Sequence, residues 1–198
     1  ITQIVTGLLL ANAFPVAQSR LMAKFWRDSV RVAYAAAHLA AHIRVGDRQD
    51  AYTFALFRDI GIPVMLRRHR GYETFFGSAL ATADMTLPEL EGEQFGVTHS
   101  ELGAQLARSW LLPESLCDGI AVHHQYHAWQ RRLTEEAPAA LVLPALAFVA
   151  ERLCAEALRT ELPMEWALGG ASALGMLGLR EDDLPPLVAE AAGWLAGN

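Results

Sequence analysis

The strongest constraint on the fold is the periodicity of residues 19–43, SRLMAKFWRDSVRVAYAAAHLAAHI. Small and apolar side chains recur there at steps of three and four residues, a spacing that places them on one face of an α-helix. They are Phe25, Ser29, Val32, Ala36, Ala40 and Ile43. The segment is therefore predicted to form one long helix, with Gly46 as its stop signal.

The rest of the chain favours helices as well. Alanine and leucine dominate, and alternating runs of β-branched residues are scarce, which argues against strands. Gly61 and Pro63 are expected to end or redirect the second helix, and a further helix is expected over 64–69 or from Gly71 onward. The predicted helices cover about 50–59, 98–113, 113–125, 138–160, 163–177 and 181–196. The predicted fold is all-α, a bundle of many helices.

Two helix starts carry specific signals. Thr98 stands three residues before Glu101, which is the spacing of a capping box, so its hydroxyl can accept a hydrogen bond from a free backbone amide of the first turn. Pro113 suits the first turn of the next helix, because the amide that proline lacks is unpaired there anyway.

Composition limits the functional classes. The chain has 198 residues, of which 53% are hydrophobic and 19% charged, enough for one globular domain and too apolar for disorder. The net charge of −6 lacks the basic footprint of a nucleic-acid binder. The short clusters RRHR (67–70) and RRL (131–133) are therefore interpreted as solvated helix ends or loops. No apolar run reaches the roughly 20 residues of a membrane span, since Asn12 and Pro15 interrupt the longest one. Neither nucleic acid nor a membrane is expected as a partner.

The two cysteines, Cys117 and Cys154, are far apart and form no CxxC motif. Such usage fits a reducing cytoplasm better than a disulfide framework, and both residues are interpreted as small buried hydrophobic groups. The chain begins without a methionine, at ITQIVTGLLL, and we expect it to be a fragment of a longer protein.

The histidines fall into two groups. His38 and His42 have an i,i+4 spacing that could bind a metal, but no glutamate of an HExxH motif lies between them, so they are interpreted as surface or boundary residues. His99 lies in the first turn of its helix, and the pair His123–His124 closes another helix. Taken alone, that pair is also compatible with imidazolium groups at the negative end of a helix dipole.

The stretch FALFRDIGI, residues 54–62, places Arg58 and Asp59 inside an apolar strip. A strained turn, a pair of metal ligands and an internal ion pair are all compatible with this doublet.

Four segments, in their order, resemble the HDOD family, a bacterial output domain related to the HD metal-dependent phosphohydrolases. They are FWRDSVRVAYAAAHLA, ALFRDIG, FGVTHSELGAQLARSWLLPESLCDGIAVHHQ and ALAFVAERL. The resemblance covers about residues 20–180 and implies an HD-like bundle that forms one domain over 1–198. Residues 1–18 would be the end of an N-terminal helical half, 19–160 the HD-like core and 161–198 the C-terminal helices.

The resemblance also assigns site positions. In active HD enzymes the metal ligands run His … His-Asp … Asp, and additional histidines serve the forms with more than one metal. Matched by motif, the corresponding residues of this chain are Asp28, Arg58, Asp59 and Glu151, with His99, His123 and His124 as the additional histidines. The first two ligand histidines are thus replaced, and the set left for any metal is Asp59, His99, His123 and His124.

Arg58 changes the chemistry of such a site. Arginine offers no lone pair to a metal and stays protonated, so we expect its guanidinium to take the place of the lost cation, with Asp28, Asp59 or Glu151 as partners. In the alternative arrangement Arg58 turns to solvent and Asp59 caps a turn. No cofactor is expected.

The resemblance implies a non-catalytic regulatory module of bacterial signal transduction that acts through contact with a protein partner or through ligand sensing. Two alternatives stay open: a residual metal-dependent phosphohydrolase, and a binding module for a nucleotide or another anion at Arg58, His99 and His123. A phosphodiesterase of the HD-GYP type is disfavoured, because HHQYHAW lacks the glutamate and the GYP turn of that family. Trp129 and the neighbouring RRL are a candidate partner surface.

Overall fold

The computed structural model describes residues 20–79, 85–127, 129, 139–163 and 165–196, and within these ranges it contains helices and no strand. The helices are α1 (Arg20–Ile43), α2 (Arg48–Phe57), α3 (Gly61–Arg68), α4 (Tyr72–Ala79), α5 (Leu87–Phe95), α6 (His99–Ser109), α7 (Glu114–Val122), α8 (Ala139–Ala157), α9 (Trp166–Met176) and α10 (Leu184–Ala196), with a 3-10 turn at Glu181–Asp183. The predicted all-α class is confirmed.

The core forms where α1 lies against α2 and α8. Both long helices bury an apolar face, and Leu39, Phe54, Leu146 and Leu153 are completely shielded from solvent in one continuous cluster. The positions at steps of three and four in α1 are shielded as the periodicity predicts: Ser29, Val32, Ala36 and Ala40 are buried, and Phe25 and Ile43 are half-buried. This packing fixes the relative positions of the end of α2 and the middle of α8.

A tight turn at residues 58–60 separates α2 from α3. Gly61 does not only interrupt the second helix: it begins α3, and Pro63 follows inside the first turn. A Cβ atom on Gly61 would lie 1.9 Å from the backbone oxygen of His99. Only glycine therefore lets α3 approach the N-terminus of α6 so closely, and this contact brings the turn at 58–60 beside His99.

Capping boxes fix two helix starts in this region. The predicted one is present, because the Thr98 hydroxyl accepts from the Glu101 amide while the Glu101 carboxylate accepts from the Thr98 amide. Thr86 and Glu89 form a second box that begins α5. Helix α5 was not predicted, although its Thr-x-x-Glu spacing is the same signal.

Several smaller expectations can be compared with the structure. His38 stacks on Trp194 and His42 pairs with Glu190, so both lie at the boundary between α1 and α10, as predicted. Cys117 and Cys154 are buried free thiols, as predicted. The three arginines of RRHR are exposed, whereas RRL lies outside the described residues.

The expectation for Trp129 was wrong. Its ring is completely buried and packs edge-on against Tyr126 and Phe148, so it belongs to the core and not to a partner surface. Among the described residues, no helix has the length and apolarity that a membrane span requires.

Candidate functional site

A cavity of about 640 Å³ opens between α1, the turn at 58–60, the end of α7 and the second half of α8. Six of the residues that the resemblance singled out line it: Asp28, Arg58, Asp59, His123, His124 and Glu151. The seventh, His99, is completely buried and lies next to Asp59. The predicted positions are thus brought together from five separate segments.

Arg58 lies at the floor of the cavity, and its side chain is 11% exposed. Its Nε donates to Asp59 Oδ2 at 2.9 Å, its Nη1 donates to the backbone oxygen of Ala147 at 3.1 Å, and its Nη2 lies 3.0 Å from Glu151 Oε2. The expected internal ion pair is therefore present, and the arrangement with Arg58 turned to solvent is wrong. We call Arg58, Glu151 and the Ala147 carbonyl the arginine half of the site.

Asp59 contacts Arg58 on one side and two histidines on the other. One carboxylate oxygen, Oδ2, accepts from Arg58, while the other, Oδ1, lies 3.2 Å from His123 Nε2 and 3.6 Å from His99 Nε2. Burial of the carboxyl raises its pKa, but the charge of Arg58 and the neighbouring imidazoles of His123 and His99 outweigh this effect and hold the pKa well below its ordinary value. Asp59 is therefore ionised, and it interacts both with Arg58 and with the imidazoles of His99 and His123.

His99, His123 and His124 form the histidine half of the site. Each ring is oriented by an acceptor at Nδ1: Glu91 Oε2 at 2.8 Å for His99, the Ile120 carbonyl at 2.7 Å for His123, and Glu165 Oε2 at 2.5 Å for His124. Because carboxylate and carbonyl oxygens can only accept, each Nδ1 carries a proton. The three Nε2 atoms are thereby directed at the interior of the site.

Proton binding differs among these rings. Burial of His99 lowers its pKa, but hydrogen bonds to Asp59 and Glu91 raise it to about 9 overall. For His123, burial and the neighbouring His124 lower the pKa to about 4. His99 therefore carries a second proton near neutral pH, on an Nε2 that lies 3.2 Å from His124 Nε2, while His123 is neutral.

The donor set of the histidine half fits a divalent metal ion. Asp59, His99, His123 and His124 each offer one ligand atom, and these atoms lie within 4.8 Å of one another. Three of the six donor pairs are separated by 3.2–3.6 Å, close to the roughly 3.3 Å that separates ligands placed about 2.0–2.1 Å from a tetrahedral centre. Oriented Nδ1 atoms are also typical of metal-binding imidazoles.

The arginine half does not fit a second metal. Asp59 Oδ2 and Glu151, which the resemblance identifies as ligand positions, both face the guanidinium. A fixed positive charge at this distance repels a cation, and arginine cannot act as a ligand. The site thus has an arginine half, in which Arg58 is the cation, and a histidine half, in which the donor atoms converge.

Asp28 differs from the expectation. It lines the cavity, but its carboxylate pairs with Lys24 at 2.8 Å and with Arg31 at 3.3 Å along α1. The short helical spacings to these two residues favour contacts within α1 over a contact with Arg58. Of the three carboxylates considered as partners of Arg58, Asp59 and Glu151 are correct, and Asp28 is wrong.

Three supporting residues were missed by the sequence analysis: Glu91, Glu165 and Tyr126. Glu91 is completely buried and also accepts from the His99 backbone amide at 2.7 Å and from the Tyr72 hydroxyl. Glu165 accepts from the Tyr126 hydroxyl at 2.6 Å and from the Leu87 amide at 2.9 Å. Burial raises the pKa of Glu165, yet His124 and these hydrogen bonds lower it to about 2. A lone glutamate in a helical segment gives no signal of such contacts, because the partners are distant in sequence.

Comparisons with solved structures support the fold. A protein of Geobacter sulfurreducens, described as an HDOD domain protein with unknown function, superposes with a TM-score of 0.65 at 21% identity over 95% of this chain and 64% of its own. A Shewanella amazonensis SB2B protein named as a candidate phosphohydrolase gives 0.63 at 21% identity, over 92% of this chain and 65% of its own. The MmoQ response regulator of Methylococcus capsulatus strain Bath gives 0.55 at 23% identity, over 84% and 61%.

The chain therefore spans less than two thirds of the length of each of these proteins. No curated protein gives a significant sequence match. The HDOD domain family, however, matches residues 1–126, which is more than half of the sequence. We therefore conclude that this chain belongs to the HDOD domain family.

Proposed function

We propose that this chain is a non-catalytic regulatory module, which acts through contact with a protein partner or through a ligand bound in its cavity. The observation that carries the proposal is the position of the Arg58 guanidinium between Asp59 Oδ2 and Glu151 Oε2, at 2.9 and 3.0 Å. A built-in cation satisfies the carboxylates that a hydrolytic centre would use to hold a metal, but it cannot activate a water molecule as a metal does.

The histidine half supports the same proposal. Asp59, His99, His123 and His124 already supply four donors, and four protein ligands complete the tetrahedral coordination typical of a structural zinc site. Catalytic zinc sites usually have three protein ligands and keep one position open. A zinc ion held there would stabilise the fold and supply Lewis acidity, without an open position for chemistry.

The comparisons give this proposal limited but consistent support. Membership of the HDOD family favours a role in signalling, while the neighbour named as a response regulator, at 23% identity, adds only the similarity of its fold. The neighbour named as a candidate phosphohydrolase is 21% identical, so its similarity concerns the fold alone. We infer a protein partner of a bacterial signalling pathway as the recipient of the signal.

Hydrolysis assays test the proposal directly. We expect p-nitrophenyl phosphate and bis(p-nitrophenyl) phosphate to remain intact with the protein and Mn²⁺, Fe²⁺ or Zn²⁺, at rates equal to those of the metal alone. Metal-dependent turnover that disappears in the variant Asp59→Asn would overturn the proposal. As a positive control of geometry, the double variant Arg58→His/Asp28→His should bind more metal per chain than the wild-type protein, as measured by elemental analysis.

A second candidate function, metal binding by the histidine half, is favoured by one specific observation. All three Nδ1 atoms are held by oxygen acceptors, which leaves three Nε2 atoms aimed at one point beside Asp59 Oδ1. This function is compatible with a regulatory role, because a bound ion would tie the turn at 58–60 to α6 and to the end of α7. Isothermal titration with Zn²⁺ tests it, and absence of saturable binding would exclude it.

A further inference from the structure

The outer part of the cavity has a different chemistry from its floor. Arg58 and its partners occupy only the inner end, whereas the lining continues outward along α1 and past the end of α8. The volume of about 640 Å³ lies within the roughly 300–1,000 Å³ that is usual for small-molecule sites. The space is therefore large enough for an organic ligand that does not displace the floor residues.

One wall of the outer cavity is a basic stripe, which we define as Lys24, Arg27 and Arg31 of α1. Their spacing of three and four residues puts them on one helical face. They share a single carboxylate of that face, Asp28, at 2.8, 3.8 and 3.3 Å. Two positive charges are thus in excess on this wall, in a chain whose net charge is −6.

A second part of the lining is apolar, and we call it the apolar wall. Leu158 and Leu162 belong to it and remain 39% and 46% exposed. Ile62, Phe76 and Phe148 also line the cavity. Exposed leucines at the rim of an apolar pocket are a common sign of a ligand or partner site, because apolar contact area left in water is unfavourable.

The positive excess is local to the basic stripe, because the whole lining has five carboxylates and four Lys and Arg side chains. Asp59 and Glu151 face Arg58, and Glu165 is bound by His124 and Tyr126. At the stripe itself, three cations share one carboxylate, and this local excess is available to a ligand.

We propose that this cavity binds a soluble amphipathic organic anion: a carboxylate, sulfonate or phosphate group at the basic stripe, with a hydrocarbon or aromatic body against the apolar wall. The inference rests on the proposed function and deepens it, because it names the class of ligand that such a regulatory module would sense. It does not require a metal or a reaction. The anion is held by partly exposed side chains, so its affinity should decrease as the salt concentration rises.

Two matched fluorescent probes test the proposal. 8-Anilinonaphthalene-1-sulfonate carries an anionic group, and N-phenyl-1-naphthylamine is the same aromatic body without it. We expect the double variant Arg27→Gln/Arg31→Gln to raise the Kd of the sulfonate about five- to tenfold while changing the Kd of the neutral probe less than twofold. The variant Leu158→Ser/Leu162→Ser should weaken both probes, and decanoate should displace the sulfonate competitively.

The control is Arg67→Gln, which removes an exposed arginine of α3 outside the cavity lining. It should leave both dissociation constants unchanged. The proposal is overturned if the wild-type protein, with its near-ultraviolet circular dichroism intact, does not bind the sulfonate. It is also overturned if Arg27→Gln/Arg31→Gln binds the sulfonate as tightly as wild type, or if Arg67→Gln weakens it equally. Phosphoester hydrolysis by the wild-type protein would contradict the proposed function, but it would not change the outcome of this test of anion binding.

Discussion

The arginine half and the histidine half of the site share one carboxylate but handle charge in opposite ways. On one side of Asp59, the cation is covalently part of the chain and is held by Glu151 and the Ala147 carbonyl. On the other side, three oriented imidazoles converge on Asp59 Oδ1 and can take up a proton or a metal ion. Arg58 thus supplies one half with a cation that does not depend on pH, while the other half can respond to pH and to metals.

This difference has a physical cause. The charge of Arg58 is permanent, since nearby Glu151 and Asp59 raise its pKa further despite the burial that lowers it. The imidazoles titrate in an accessible range, with pKa values of about 9 for His99 and about 4 for His123. Arg58 should therefore keep its charge at any ordinary pH, and the histidine half should supply a part of the stability that depends on pH and on metals.

The largest expected effect is that of Arg58→Ala. It leaves the buried carboxylate of Asp59 and that of Glu151 without their cation, and removing one member of a buried pair destabilises by about 3–5 kcal/mol. Urea denaturation at pH 7 measures this change. Arg31→Ala is the matched control, because it also removes a guanidinium paired with a carboxylate, but at 39% exposure, and it should change stability by less than about 1 kcal/mol. Equal effects of the two variants would contradict the special role of Arg58.

The second effect is the alkaline pH dependence that His99 produces. Its folded-state pKa of about 9 lies above the ordinary 6.5, so the stabilisation is fully present below pH 6.5 and is lost as the pH rises through 9. At about 1.4 kcal/mol per pKa unit, its upper limit is roughly 3 kcal/mol. Urea denaturation between pH 6 and 10, with chelator present, should show a steeper decline for wild type than for His99→Gln. If the free energies of unfolding of wild type and His99→Gln decrease equally as the pH rises, His99 does not carry this proton.

The third effect is stabilisation by zinc. At a free Zn²⁺ concentration 100 times the Kd, binding should add about 2.7 kcal/mol to the free energy of unfolding, seen as an upward shift of the melting temperature that chelator reverses. His123→Gln should abolish the shift, because it removes one of the four donors. His42→Gln is the control, since that imidazole pairs with Glu190 of α10 and is not one of the four donors. A shift that survives in His123→Gln would place the ion elsewhere.

The smallest effect is expected for Asp28→Asn. Although the resemblance places Asp28 at a ligand position, its carboxylate is 38% exposed and pairs within α1. Exposed pairs of this kind contribute about 0.3–0.5 kcal/mol, so the variant should denature within about 0.5 kcal/mol of wild type. A loss of several kcal/mol would mean that Asp28 takes part in the arginine half after all.

Much of the fold follows from local signals in the sequence. The helical period of residues 19–43, the Thr98–Glu101 box and the Gly61 stop are short-range patterns, and each marks an element boundary in the structure to within a few residues. Helix α5 was missed, although Thr86 and Glu89 give the same capping signal. Its first residues follow the segment 80–84, for which no helical period was recognised.

The site was predictable only where a motif carried the information. The doublet Arg58–Asp59 stood out because charges interrupt an apolar strip, and its partner Glu151 followed from the resemblance. Glu91 and Glu165 could not be found in this way, since they reach His99 and His124 across 8 and 41 residues by contacts that only the packing creates. Trp129 was placed on the surface because its sequence neighbours are polar, yet the core determines its position.

Anomalous diffraction from crystals equilibrated with Mn²⁺ or Zn²⁺ tests the central claim most directly, because it locates cations independently of activity. We predict guanidinium density between Asp59 Oδ2 and Glu151 Oε2, with any anomalous peak confined to the side of His99, His123 and His124. An anomalous peak that bridges Asp59 and Glu151, with the Arg58 side chain displaced toward solvent, would contradict the account.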